Sequence, residues 1–592
     1  MHLLKKIKPR MLACLFLLFA LLGIGCGRSK LQASQQELFD KFINDLFVKE
    51  VQSDTLSLNY TLAHPEAYGI NLDEPTLGEY TVEYIGKKLL DKEQYLNELL
   101  NFNYDLLSAD RQLTYDVLRH CLELELRLGD YIYYWEALGP TTGIQAQLPI
   151  LLAEYHFYDR GDIEDYLKLL PCVKKYFDDV AEFEREKSRQ GLFMPDAAAD
   201  RIIAQCEAFI ADPEENYLIE YFNDKIDSFA GLSKAEKADY KRRNRQAVLD
   251  NIIPSYELLA DTLKELKGTG INNAGLYYYP EGQAYYELLV RLKTGSDKSM
   301  SKIIEMLETT IGSCIIELTR QTMSDPMIFD KFDSFESFPL TDPEAILEDL
   351  KVRILEDFPE PEDVNCEIKY VHESLEEYLS PALYLIPAID NYSDNYIYIN
   401  GSDEETLATI YTTVAHEGYP GHLYQNVYFR SKNNAPIRNL LSFAGYDEGW
   451  ATYVEFYSYR YCGIDRSLAD VLSLDSKLIL MMYARADIGI HYEGWDKQKA
   501  MSYIGKFTGD ETIACRIYRT LLEEPAIYLP YAIGYLEIME LRALAEDTLG
   551  PAFNIKEFHE FLLDIGPAHF GAIRQRLESW LETKTDLLAE SE

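Results

Sequence analysis

Along this chain apolar residues recur mostly at three- and four-residue intervals, the spacing that lines one face of an α-helix. Between Lys30 and Asn365 the segments Leu38 to Val51, Leu77 to Arg127, Ile163 to Arg189, Ala197 to Ile210, Lys234 to Lys267, Glu281 to Lys293 and Met300 to Thr322 follow it. Turn formers such as Asp212-Pro213-Glu214-Glu215-Asn216 and Gly268-Thr269-Gly270 separate them, and Pro254 predicts a kink inside its own segment. Past Phe358-Pro359-Glu360-Pro361-Glu362 the pattern shortens to β-branched and aromatic runs: Cys366 to Val371, Leu383 to Ile389 and Asn395 to Ile399. The helical period returns at Leu407 and holds through Leu468 to Ile490, Trp495 to Lys506, Tyr531 to Thr548, Ile555 to Leu563 and Ala572 to Leu588. These runs predict a mainly α fold with one small sheet. They divide it into a helical lobe over residues 27–358 and a second lobe over 359–592 that carries the sheet.

The first 26 residues follow a different pattern. Lys5, Lys6, Lys8 and Arg10 precede an apolar run from Met11 to Gly25, too short for the roughly 20 residues of a spanning helix but suited to a secretory leader. The run ends in Leu22-Gly23-Ile24-Gly25-Cys26, which resembles a bacterial lipobox. Lipidation of Cys26 would then tether the body to a membrane, outside the cytoplasm in the bacterial cell envelope. An uncleaved N-terminal anchor is the other reading of the same residues.

Net charge is −42, from 99 acidic against 57 basic residues. Such a surface repels phosphate backbones and anionic headgroups, so nucleic-acid binding and electrostatic adhesion to a membrane are both excluded as working hypotheses. Beyond the leader seven cysteines stand at wide, irregular gaps with no Cys-x-x-Cys, which fits neither a disulfide framework nor a cysteine metal site. No Gly-x-Ser-x-Gly elbow is present.

The candidate chemistry lies in His416-Glu417-Gly418-Tyr419-Pro420-Gly421-His422. Two imidazoles with a carboxylate after the first are what a zinc hydrolase needs: neutral nitrogens for the metal and a base beside its water. The two histidines are six residues apart rather than four. In a straight helix that leaves the second ring about 120° from the first, so Pro420 and Gly421 must bend the chain for both to reach one ion. Otherwise they are two helix histidines near a kink. Glu448, 26 residues beyond His422 on a further predicted helix, is the candidate third ligand. Glu455 falls on the same face as an alternate ligand or as a partner that orients a histidine.

The stretch from His416 to Gln425, His-Glu-x-x-Pro-Gly-His-x-x-Gln, followed by Glu-Gly-Trp-Ala-x-Tyr-x-Glu over Glu448 to Glu455, resembles the bacterial family known as domain of unknown function 885. Gly143 to Leu152, Gly275 to Thr294, Pro381 to Asn400, Asp487-Ile488-Gly489-Ile490-His491 with Gly494-Trp495, and Pro525 to Gly534 extend the resemblance over most of the chain. Two departures stand out. Many relatives carry a second histidine where this chain has Leu423, and a Gly-Gln-Ala of the family is replaced by Ala526-Ile527-Tyr528. The resemblance implies a large two-lobed metallopeptidase-like fold, Zn2+ as cofactor held by His416, His422 and Glu448, and Glu417 as general base. It also implies Tyr531 as donor to the oxyanion. By similarity to gluzincin-type peptidases, Tyr396 to Asn400 would be an edge strand that pairs with the substrate, bringing Tyr398 and Asn400 to it; an ordinary core hairpin is the alternative. Asp487 and His491, four apart, share a helix face as a proton donor, a substrate clamp, a metal ligand or a local hydrogen-bonded pair. The expected function is a zinc-dependent envelope hydrolase, foremost a peptidase acting on a peptide or small amide. A peptide-binding lipoprotein without catalysis, or a zinc hydrolase of another amide or ester, are the alternatives.

Overall fold

Side chains at the helix ends set where the expected segments begin and break. Asp159 and Ser233 each close a capping box, with Asp162 and Glu236 reaching back to the cap N–H. The run from Leu77 to Arg127 is two helices, Val82–Leu99 and Ala109–Leu128, parted by a turn in which Asn103 accepts from the Asp105 N–H. Lys234–Ala247 and Ile253–Leu266 are joined by one wide π turn, Val248–Ile252. Pro254 has no N–H to donate four residues back, so the ladder takes a longer step there.

The structure, a computed structural model, describes residues 31–591 apart from 73, 372–375, 377–379, 403 and 433. The expected leader, with Cys26, lies outside the described residues. The body is mainly helical, with one three-stranded sheet among the described residues. No described helix is long and apolar enough to cross a membrane. The largest hydrophobic cluster joins Leu113, Tyr286 and Phe358 to Ile397, Trp450 and Ile538, so one continuous core runs through the boundary near residue 358.

Strands β1 (Asn365–Tyr370), β2 (Ala382–Leu385) and β3 (Asp394–Ile399) lie in the order β1-β3-β2, β1 parallel and β2 antiparallel to β3. This corrects one expectation: Tyr396 to Asn400 is the centre of the sheet, not its edge. Local alternation shows that a strand is half-buried, but its neighbours are set by distant pairing, and here β1 returns from well upstream to cover β3. β1 and β2 are the two border strands, and β2 is the one whose residues line the site.

Of the helices that follow, α1 (Tyr411–Glu417), α2 (His422–Ser431), α3 (Ala444–Ser458) and α5 (Leu529–Leu549) carry residues of the site, and α4 (Arg466–His491) packs outside it. α3 and α5 cross at backbone contact. A Cβ on Gly449 would lie 2.4 Å from the Gly534 carbonyl carbon, and one on Gly534 would lie 1.9 Å from the Gly445 carbonyl oxygen. The glycines thus set the depth at which Glu448 on α3 and Tyr531 on α5 face a common point. Gly449→Ala is expected to force the helices apart and cost about 1–3 kcal/mol, read as a lower midpoint in denaturant unfolding. Gly505→Ala, with open space at its Cβ, serves as the control and should be neutral or stabilising by up to about 1 kcal/mol. Equal midpoints for the two variants would contradict the close crossing.

Candidate metal centre

α1 stops at Glu417 because the chain leaves helical geometry at Gly418 (φ −103°, ψ −107°) and again at Gly421 (φ −81°, ψ −137°). The loop folds back onto the end of α1 so tightly that a Cβ on Gly421 would lie 1.7 Å from the His416 carbonyl oxygen. Trp450 of α3 then pins the loop, its Nε1–H donating to the Pro420 carbonyl at 2.8 Å. The angular mismatch of a straight helix is removed by this reversal. The rings of His416 and His422 come to 4.8 Å between centroids, at 79° to each other.

Two ligands on zinc bonds of about 2.0–2.1 Å, subtending a tetrahedral angle, stand about 3.3–3.4 Å apart. Glu448 Oε2 lies 3.3 Å from His422 Nε2 and 3.5 Å from His416 Nε2. Beyond these two nitrogens that oxygen is buried without a hydrogen-bond partner, so it needs a cation, a proton on each ring or one shared metal ion, against its lone pairs. Behind the pair, Glu455 Oε2 stands 3.0 Å from His416 Nδ1. A carboxylate there fixes the tautomer that leaves Nε2 free for metal. The donor set and its spacing fit Zn2+.

Charge in the centre is tightly coupled. Burial works against protonated imidazoles, but Glu448 and Glu455 outweigh it and raise His416 well above its ordinary value; Glu448 does the same for His422. Burial would raise the Glu448 carboxyl, yet the two imidazoles hold it well below the usual carboxylate range. Glu417 is raised by burial, against the opposing pull of His416 and His422. Its Oε2 accepts from the Tyr384 N–H of β2 at 2.8 Å. The Tyr531 ring stacks 6.2 Å from that of His416, and burial with Glu448 and Glu417 raises its hydroxyl far above the ordinary value. All of these groups except Glu455 border one cavity of about 470 Å³, which also takes in Asp447, Arg430 and Arg438.

A family model described as "Bacterial protein of unknown function (DUF885)" matches residues 65–577. The chain belongs to the DUF885 family. The crystal structure of a candidate lipoprotein from Colwellia psychrerythraea superposes on this DUF885 chain with a TM-score of 0.81 at 18% identity, covering 93% of this chain and 99% of that one. A candidate lipoprotein of unknown function from Shewanella oneidensis matches with a TM-score of 0.60 at 16% identity, over 90% of this chain and 98% of that one. At these identities the likeness is one of fold. No curated protein matches the chain.

Other residues singled out from the DUF885 sequence lie elsewhere. Asp487 accepts from the Tyr286 hydroxyl and, at 2.9 Å, from the Ala526 N–H. His491 accepts the Leu276 N–H at Nδ1, 3.1 Å, and donates from Nε2 to the Leu521 carbonyl, 2.8 Å. Both are buried, with Asp487 raised to about 7 and His491 lowered to about 4 by that burial. They tie α4 to its neighbours and do not border the cavity, so the catalytic role expected of them is not one this geometry allows. A shared helix face says only that two side chains are near, not that they face a substrate. Tyr398 donates to Glu154 at 2.9 Å and the Asn400 amide to the Glu376 carbonyl at 2.7 Å. Neither borders the cavity either, because β3 is the central strand. Residues not anticipated are Asp447, Arg430, Arg438 and the Tyr384 N–H. Only Asp447, adjacent to Glu448, had a local signal.

A second group, His120, Asp297 and His569, also brings three potential ligand atoms within 4.8 Å of one another. Its rings are stacked at 3.9 Å and 7°. Parallel rings aim their lone pairs side by side rather than at one ion, whereas the near-perpendicular rings of His416 and His422 converge. The second group is therefore the poorer metal site.

Zinc binding needs neutral imidazoles, and the metal-free centre favours protonated ones, so uptake of zinc must expel protons. Affinity is expected to rise with pH through and above neutrality, with net proton release seen by calorimetry in buffers of different ionisation enthalpy. Glu455→Gln should weaken binding by about 10- to 100-fold. Proton-neutral binding, or full affinity in that variant, would contradict this description.

Proposed function

We propose that this DUF885 protein is a zinc-dependent hydrolase of the bacterial cell envelope that cleaves peptide bonds. The observation that carries the reading is the convergence of His416 and His422 on the buried Glu448 oxygen at tetrahedral spacing, with Glu417 in the same cavity. Zinc held there supplies a Lewis acid that polarises a carbonyl and acidifies water. Glu417, its carboxyl raised by burial, accepts a proton from the attacking water and passes it to the leaving nitrogen as the C–N bond breaks. Tyr531 keeps its proton and donates to the developing oxyanion. The border strand β2 stands beside the catalytic carboxylate through the Tyr384 N–H, which suits it to align an extended substrate backbone. The leader ending at Cys26, together with a fold shared with candidate lipoproteins, supports an N-terminal lipid anchor.

Glu417→Gln is expected to retain one zinc per chain by metal analysis while hydrolysis of a peptide library falls by about 10² to 10⁴. Tyr531→Phe should lower kcat by about 10² to 10³ with little change in KM. Undiminished turnover in Glu417→Gln removes that residue as the base, and a zinc-loaded protein that cleaves nothing in the library reduces the molecule to a binding protein. For the anchor, cells fed a labelled fatty acid should label the natural chain and not Cys26→Ser. Labelling of both would place the lipid elsewhere.

A further inference from the structure

The cavity is bordered by groups of both charge signs. Around the histidines stand three carboxylates, Glu417, Asp447 and Glu448; the same cavity is bordered elsewhere by two arginines. Arg430 is eight residues beyond His422 on α2, about 12 Å along the helix axis. Arg438 follows in the turn Pro436–Asn439, and its guanidinium lies 5.6 Å from the ring of Phe429, the neighbour of Arg430. Both cations thus border the cavity that holds the metal centre, and the Arg430 backbone stands at the far end of α2 from His422.

Among the described residues neither forms a close ion pair. Arg430 spends Nη1 on the Pro387 and Ala388 carbonyls, and Arg438 spends Nη2 on those of Ile565 and Pro567 at 2.9 and 2.8 Å. In each the Nε–H is buried with no hydrogen-bond partner. Arg438 is 2% exposed, yet among the described residues no carboxylate lies within 4.0 Å of either guanidinium. Burial lowers both to about 10, which leaves them charged at neutral pH. In a chain with 99 acidic residues against 57 basic ones, two buried cations on one cavity without a close ion pair invite an anion. The guanidinium fork matches a carboxylate.

We propose that Arg430 and Arg438 receive the C-terminal α-carboxylate of the substrate, which makes this protein a peptidase that works from the C-terminus. The proposal rests on the peptidase reading above. The helix spacing leaves room for roughly one to three extended residues, at about 3.4 Å each, between the carboxylate and the bond that is cut. Water adds to the carbonyl carbon, the C–N bond breaks, Glu417 delivers the proton to the new amine, and a short C-terminal fragment leaves with its carboxylate intact.

The test uses zinc-loaded full-length protein and paired peptides of one sequence, ending in a free acid or an amide, with products read by mass spectrometry. The acid should be cut near its C-terminus, with or without an N-terminal acetyl group. The amide should lose about 10- to 100-fold in kcat/KM, and Arg430→Gln or Arg438→Gln should erase the difference. Because either variant could misfold, the pairs on the unaltered protein decide. Equal cleavage of acid and amide overturns the proposal. So does rapid cleavage of an amide ending in glutamate, which would assign the arginines to an acidic side chain. If no peptide is cut, the peptidase reading has failed, and titration of the metal-free protein with N-acetyl-alanyl-alanine and its amide still decides the receptor. Binding of the acid alone, lost in Arg430→Gln, supports it; equal or no binding overturns it.

Discussion

The site depends on one close approach, the Cα of Gly421 against the carbonyl of His416. Six residues of ideal helix would hold the two imidazoles on different sides of a cylinder. The reversal between Gly418 and Gly421 replaces that rotation with a fold-back, and only a residue without a Cβ can pass so near the end of α1. Trp450, fully buried at the contact of α2 and α3, holds the reversal through the Pro420 carbonyl. The same residue sits two positions after Glu448, so the helix that clamps the loop also delivers that carboxylate to the two imidazoles.

A second close approach sets the other half of the centre. Gly445, Gly449 and Gly534 let α3 and α5 meet backbone to backbone, and that depth determines where Glu448 and Tyr531 end up relative to the histidines. Glu455, two turns further along α3, reaches the back of His416 from the same helix. Glu448, Glu455 and the clamping Trp450 are therefore one rigid unit. Such a unit suits a centre whose geometry must be held to a few tenths of an ångström.

Much of this was legible in the sequence, for reasons that differ by element. Amphipathic helices announce themselves because their burial is local to one face, and the break at Pro254 follows from a missing N–H. The meeting of His416, His422 and Glu448 was legible from residue type, two imidazoles around a glycine and proline break with a carboxylate on a further helix, and Glu455 from its place seven residues along the same face. The sheet order was not: the Tyr396 to Ile399 alternation is the same at an edge or a centre, and β1 pairs with it from far upstream. Asp487 and His491 satisfied every local rule for an active pair, yet buried backbone groups had already claimed them. Arg430 and Arg438 had no local mark at all, since an arginine in an acidic chain is ordinarily ion-paired, and only the fold shows these two without a close carboxylate.

The central claim is that the reversal at Gly418 to Gly421 brings His416, His422 and Glu448 onto one zinc ion. Crystals of the protein soaked in zinc and measured on both sides of the zinc absorption edge test it most directly. The account predicts one strong anomalous peak about 2.0–2.2 Å from His416 Nε2, His422 Nε2 and Glu448 Oε2. A peak at the stacked pair His120 and His569, or none within coordinating distance of His416 and His422, would contradict it.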